Sequence, residues 1–220
     1  MLNPRKLLYP FSLLYGGIML LRNEMYDRGI FRSKGFEIPV IAVGNLGVGG
    51  TGKSPMVEYL ILLLKEEQQL ATLSRGYKRS SRGFHLLNGK ESASQVGDEP
   101  LQFKNKFPEI LVAVDEKRSH GIEELLKDPS PPEVVLLDDA FQHRSVKAGF
   151  YILLTPYNNL YSEDLVLPAG NLREPKIVAK MADIIVVTKC QDSLSKAEHE
   201  QNRKKLHLNN NQQLFFTTIS

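Results

Sequence analysis

The chain has 220 residues, 42% of them apolar and 24% charged, enough for one α/β domain of ordinary size with a real core and part of a second. A single cysteine, Cys190, excludes an internal disulfide, and no Cys or His pair has zinc-site spacing. Residues 1–34 carry six basic side chains against two acidic ones, a balance of +4 in a chain whose net charge is +3. The basic character therefore belongs to the N-terminus and not to a nucleic-acid-binding face, and nucleic acid is set aside as a partner.

The first element is the apolar run Leu7–Leu21, broken only by Ser12 and flanked by Arg5, Lys6 and Arg22. As a helix it would span roughly 22 Å at about 1.5 Å per residue, short of a hydrocarbon core of about 30 Å. Pro10 and Gly16-Gly17 further weaken a spanning helix, and no small-residue cleavage site follows. Two readings stand at this point: a helix lying in a membrane interface with its basic residues against anionic headgroups, or an apolar helix packed on the protein's own core.

Glu37–Gly44 reads as a buried strand, and Ser54–Gln68 as a helix with Met56, Tyr59, Leu60, Leu63 and Leu64 at helical spacing. Strands follow at Leu70–Ser74 and Phe84–Leu87, a helix at Glu99–Phe107, a strand at Ile110–Val114, a helix at Ser119–Lys127 stopped by Pro129, and a strand at Glu133–Leu137. Phe150–Leu154 and Asp183–Thr188 are strands, Ser193–Leu206 a polar helix, and Leu214–Thr218 one more strand. This alternation predicts a parallel sheet flanked by helices. The divisions read from composition are an N-terminal helical segment (1–34), a core (35–154), a proline-rich linker or hairpin (155–175), and the end of the core with the start of a further region (176–220).

Between the first strand and its helix, Gly47-Val48-Gly49-Gly50-Thr51-Gly52-Lys53-Ser54 matches G-x-x-x-x-G-K-[ST]. Successive N–H groups must turn inward to hold phosphate oxygens, and glycine permits that backbone. Lys53 is placed to reach the β/γ-phosphates and Ser54 to ligate Mg²⁺, with the helix N-terminus adding its dipole. Pro55 falls in the first helical turn, where proline is tolerated.

A phosphate loop of this kind needs a carboxylate for Mg²⁺ at the end of a buried strand, and Glu133-Val-Val-Leu-Leu leads straight into Asp138-Asp139. Which of the two is nearer the metal is open. Gly97-Asp98-Glu99-Pro100 offers a second acidic pair: Asp98 either caps a helix or serves as the carboxylate that orients an acceptor hydroxyl. Arg75 follows a strand end, where ligands collect in α/β sheets. His143 assists in the site or holds its own loop. Arg173 and Glu174 suit a phosphorylated or sugar-bearing acceptor, or form a surface ion pair.

Taken in order, Val43-Gly44-Asn45-Leu46 with the glycine-rich loop, Ser74-Arg75-Gly76-Tyr77, Gly97-Asp98-Glu99-Pro100, Asp138-Asp139-Ala140-Phe141-Gln142-His143-Arg144, Pro168-Ala169-Gly170-Asn171-Leu172-Arg173-Glu174-Pro175 and Val186-Val187-Thr188-Lys189 resemble the tetraacyldisaccharide 4′-kinases. The resemblance implies a P-loop NTPase-like α/β fold, with ATP and Mg²⁺ as substrate and cofactor and an acylated glucosamine disaccharide 1-phosphate as acceptor. It implies Asp98 as the base, with Lys53, Asp138, Asp139 and His143 in the catalytic set. Ser54, Glu99, Asp138 and Asp139 would serve the metal, and Arg75, Asn171, Arg173 and Glu174 the lipid substrate. It further implies a monomer at the cytoplasmic face of the bacterial inner membrane, held by the N-terminal helix, and a second α/β domain that is incomplete in this chain. The rival expectations are a nucleotide-driven ATPase or GTPase switch and an inactive membrane-bound nucleotide-binding module.

Overall fold

The computed structural model of the chain describes residues 4–218. The Lys6 side chain, counted in the predicted basic flank, lies outside the described part. A 3-10 turn, Pro4–Leu8, leads into helix α1 (Tyr9–Asp27), and strand β1 (Val40–Gly44) and helix α2 (Lys53–Leu64) bracket the glycine-rich loop. Then come β2 (Leu70–Ser74), β3 (His85–Leu86), α3 (Ala93–Val96), α4 (Asp98–Lys106), β4 (Leu111–Val114), α5 (Arg118–Leu125) and β5 (Val134–Asp138). The described chain closes with β6 (Phe150–Pro156), β7 (Ile184–Cys190), α6 (Lys196–Leu206) and β8 (Gln213–Thr218).

These elements form two compact units interleaved in sequence. One comprises Ser33–Val43 and Lys53–Phe150. The other comprises the N-terminal segment through Arg32, Gly44–Gly52, and the chain from Tyr151 onward. The changeovers fall after Arg32, inside β1, after Gly52 and within β6.

In the first unit β1 pairs with β5, β5 with β2, and β2 with β4, all parallel. Every residue of β2 and β5 is buried, as expected of strands covered on both faces. The carboxyl ends of β2, β4 and β5 therefore share one edge, carrying Arg75, Asp115 and Asp138-Asp139. The predicted parallel sheet is mostly parallel: β3 runs antiparallel to β4 and spans only two residues. Helix α5 packs on this sheet so closely that a Cβ at Gly121 would lie 2.8 Å from Leu73 Cδ2.

In the second unit β6, β7 and β8 pair in parallel. Helix α6 begins with a reciprocal cap: Ser195 Oγ accepts from Glu198 N at 3.3 Å, while Ser195 N donates to Glu198 Oε2 at 2.8 Å.

Several boundaries differ from the sequence reading for local reasons. Strand β1 begins at Val40, beyond Pro39, which has no N–H to give. Helix α2 stops at Leu64, short of Gln68. Helix α1 runs on to Asp27, with Pro10 in its first turn and Gly16-Gly17 absorbed. Its buried residues are Ser12, Gly16 and Asn23, a small and polar stripe at helical spacing. Leu7, Phe11, Leu14, Ile18 and Leu21 form the opposite stripe, each 58–82% exposed. No described helix is long and apolar enough to cross a membrane.

Candidate functional site

The glycine-rich loop leaves β1 at Gly44, and Gly49 (φ 109°) and Gly52 (φ 89°) take backbone angles that side-chain-bearing residues rarely adopt. Thr188 Oγ1, at the end of β7, donates to Thr51 O at 2.8 Å and fixes the loop's later half. Gly47 to Thr51 line a hollow of about 170 Å³ together with Leu154–Pro156, Asn171 and Leu172.

The other unit carries the next two residues of the motif and the acids. Lys53 Nζ lies 3.7 Å from Asp139 Oδ1, and Ser54 Oγ donates to Glu99 Oε1. Asp138 is 7% exposed, and its Oδ1 has no hydrogen-bond partner among the described residues. Burial pushes the Asp138 carboxyl up to about 7; the charges of Glu99 and Asp139 raise it as well, while Lys53 and Arg118 pull it back. Asp139 sits at φ 53°, an uncommon angle for a residue with a side chain, and one often retained at functional sites.

Among the described residues no three His, Cys, Asp or Glu side chains group closely enough to hold a metal ion. Mg²⁺ does not require that. It takes oxygen ligands, commonly one or two carboxylates completed by substrate phosphates and water. A buried carboxylate oxygen without a hydrogen-bond partner among the described residues, in the field of Asp139 and of the Glu99 that accepts from Ser54, fits such an ion, and Asp138, Asp139, Ser54 and Glu99 are the residues that would hold it.

Asp98 is the first residue of α4, with Gly97 in the capping position, so the reading of Asp98 as the N-cap is corrected. Gly97 adopts φ 95° and ψ 155°, a region essentially confined to glycine. A Cβ there would lie 3.2 Å from Gly76 Cα, so the Arg75-Gly76-Tyr77 turn and the start of α4 meet backbone to backbone. The Asp98 side chain is exposed and lines an open hollow of about 510 Å³ with Leu101, Gln102, Asn105 and Lys106. Arg75 is exposed after β2. His143 stands in the loop after β5, its backbone N–H donating to Ala140 O at 3.0 Å.

The remaining predicted residues face inward. Asn171 Nδ2 donates to Asp164 Oδ2 at 3.0 Å, and Arg173 donates to Gly47 O at 3.2 Å and Asn45 Oδ1 at 3.1 Å. Glu174 is fully buried, its carboxylate taken up by Arg22 at 3.3 Å and Asn23 at 3.2 Å.

Sequence reasoning missed Arg118. It is 1% exposed, donates from Nη1 to Asp115 O at 2.7 Å, and is depressed to about 10, mainly by burial, with the charges of Asp138 and Asp139 opposing the shift. Its signal was an Asp-Glu-Lys-Arg run immediately after a buried strand, at the edge where the other acids lie.

A strand, a glycine-rich loop and a Lys-Ser helix start, with a carboxylate pair at the end of an adjacent parallel strand, define an α/β nucleotide-binding protein of the phosphate-loop class. Within that class, the profile of the tetraacyldisaccharide-1-P 4′-kinase family matches residues 4–218, and the chain belongs to that family. It is 56% identical over 215 residues to the tetraacyldisaccharide 4′-kinase of Flavobacterium johnsoniae, covering 98% of this chain and 63% of that protein. Against the corresponding protein of Bacteroides fragilis (strain ATCC 25285) it is 52% identical, covering 97% and 57%. The crystal structure of LpxK from Aquifex aeolicus in complex with ATP superposes with a TM-score of 0.77 at 43% identity, over 84% of this chain and 59% of that one. The chain thus spans about three-fifths of the length of these relatives.

Proposed function

We propose that this chain forms the nucleotide-binding part of an enzyme that moves the γ-phosphate of ATP to the 4′-hydroxyl of a tetraacylated glucosamine disaccharide 1-phosphate. The observation that carries the reading is the pairing of Lys53 with Asp139, and of Ser54 with Glu99, in the field of an Asp138 whose Oδ1 has no hydrogen-bond partner among the described residues. The family description supports the acceptor, a tetraacyldisaccharide 1-phosphate modified at its 4′ position.

Phosphoryl transfer calls for positioning and charge neutralisation more than covalent chemistry. Bound Mg²⁺ supplies part of that neutralisation. Lys53 supplies a fixed cation, and Asp138, Asp139, Ser54 and Glu99 supply the oxygens. Asp98 accepts the proton of the acceptor hydroxyl as the new O–P bond forms and the bond to the leaving ADP breaks. Its exposure at the start of α4 supports that role, since an acceptor must reach it.

The proposal extends to a monomer seated on the cytoplasmic face of the bacterial inner membrane, and helix α1 is what supports the membrane seat. The helix turns its polar stripe inward and an apolar stripe to the outside, in a segment of net positive charge. Such a helix lies in the headgroup region of an anionic leaflet.

The test is incubation with γ-labelled ATP, Mg²⁺ and the lipid disaccharide 1-phosphate, followed by separation of the lipids. Label is expected in the lipid with the native chain and absent from it with Asp98→Ala, which still binds ATP. Normal turnover in that variant refutes the base assignment. Phosphate released to water whether or not lipid is present would instead favour an ATPase.

A further inference from the structure

A glycine-rich loop has little stiffness of its own, and here its entry is held from one side by the segment Pro168–Glu174. The N–H groups of Arg173 and Glu174 both donate to Leu46 O, at 2.7 and 3.2 Å. The Arg173 guanidinium grips Gly47 O and Asn45 Oδ1, and Asn45 Nδ2 itself donates to Gly47 O at 2.9 Å. Val48 N donates to Asn171 O at 2.8 Å. Residues 46, 47 and 48 are each held to this segment through a main-chain atom, Gly47 by the Arg173 side chain, before the phosphate-facing turn begins.

The other side of the same segment is held by α1 and the turn before it. Ala169 N donates to Ser12 Oγ at 2.9 Å, Tyr15 Oη donates to Arg173 O at 2.9 Å, and Arg5 donates to Gly170 O at 2.6 Å. Arg22 and Asn23 hold the buried Glu174 carboxylate. The attachment of α1 to the body is thus mainly polar, while its exposed stripe is apolar. A helix attached in this way belongs to the less stable end of a fold. If α1 frays, the buried Glu174 carboxylate loses Arg22 and Asn23, and a buried charge that loses partners is an arrangement that proteins relax to avoid.

We propose that Pro168–Glu174 is a strap linking α1 to the phosphate-binding loop, so that seating α1 on an anionic lipid surface tightens nucleotide binding, with Arg173 and Glu174 as its positioning residues. The proposal rests on the interfacial reading of α1 given above. The lipid acts by favouring the ordered helix. The ordered helix keeps Arg22 and Asn23 on Glu174, and Glu174 and Arg173 keep Leu46 and Gly47 in place. Linkage makes the effect reciprocal: nucleotide must strengthen attachment to the lipid by the same factor.

The experiment measures the affinity of the full 220-residue chain for a non-hydrolysable ATP analogue with Mg²⁺. It is run alone, with phosphatidylglycerol–phosphatidylethanolamine vesicles, and with phosphatidylcholine vesicles; vesicle attachment is measured in parallel by co-sedimentation. The anionic vesicles are expected to tighten analogue binding by about fivefold or more, the lower end of ordinary coupling, and the neutral ones to do little. Glu174→Gln is expected to retain attachment and lose the enhancement. Arg173→Ala is expected to weaken analogue binding about tenfold with or without vesicles, and Arg173→Lys to restore part of it by reaching one of the two acceptors. Attachment to anionic vesicles with no change in analogue affinity overturns the strap and leaves the membrane reading standing. Absence of attachment overturns both. An Arg173→Ala chain that folds, by its circular dichroism, and binds the analogue normally also overturns the strap.

Discussion

Asp138→Asn tests the electrostatics of the acid cluster directly. The folded protein holds the Asp138 proton up to about pH 7, whereas the group's ordinary value is 3.8. Between these values the folded state binds more protons than the unfolded one, so stability falls as pH rises through the window and the loss is complete above about 7. A shift of about three units corresponds to about 4 kcal/mol at roughly 1.36 kcal/mol per unit. Asparagine has the same shape and no charge, so the variant lacks this penalty. Its own amide must find partners, but that cost is independent of pH and cancels from the comparison. Urea unfolding in magnesium-free buffer from about pH 4 to 8.5 should show the variant gaining on the native chain by up to about 4 kcal/mol, almost all of it between pH 4 and 7. Adding Mg²⁺ at pH 8 should stabilise the native chain more than the variant. Parallel stability profiles for the two proteins would show that Asp138 carries no buried charge penalty, and the fit of this site to a cation would lose its main physical ground.

Three further outcomes follow from the same unit. Arg118→Met removes a buried cation from the field of Asp138 and Asp139; a loss of about 3 kcal/mol or more is expected near neutral pH, shrinking toward pH 5 as Asp138 takes up its proton, and urea unfolding at the two pH values checks it. Gly97→Ala forces a side chain into φ 95° and against the Gly76 backbone, so about 1–3 kcal/mol of stability should go, visible as a lower thermal midpoint. His120 is raised above 6.5 by its 2.6 Å hydrogen bond to Asp115. Its stabilising contribution is therefore present below pH 6.5 and lost as pH rises through the folded value; NMR titration should find it elevated, and Asp115→Asn should return it toward 6.5.

The strand and helix alternation of Ser33–Phe150 was legible because buried parallel strands are short β-branched runs and their covering helices carry apolar residues at helical spacing. The phosphate loop was legible because its glycines and Lys-Ser are contiguous, and Asp138-Asp139 because a strand points into them. Helix α3 was missed although its Ser92 and Gln95 form a capping box. Four residues are too few to show a period. Arg118 was missed because a buried arginine looks like any surface arginine until Asp138 and Asp139, whose charges act on it from far along the sequence, are known to share its strand edge. The inward roles of Arg173 and Glu174 were unreadable for the same reason. Their partners lie at residues 22, 23, 45 and 47, whereas along the chain only an adjacent cation and anion are visible.

The two kinds of buried charge in this chain behave differently, and the difference separates scaffold from site. Glu174 is fully buried yet has Arg22 and Asn23 on its carboxylate, so its charge is compensated within the fold. Asp138 is buried at the end of β5 with one oxygen unsatisfied, beside the charges of Asp139 and Glu99, and next to a residue held at φ 53°. Arg118 and Lys53 offset that arrangement only partly, since the carboxyl still rises to about 7 and the guanidinium falls to about 10. A fold under selection for stability alone would lose such a group, because replacing it by an uncharged isostere costs little and relieves several kcal/mol of buried charge. Its retention in an otherwise well-satisfied parallel sheet is understandable if the missing partner is external. A cation arriving with the phosphates of a nucleotide would displace the Asp138 proton, satisfy the orphaned oxygen and convert a destabilising carboxylate into a ligand.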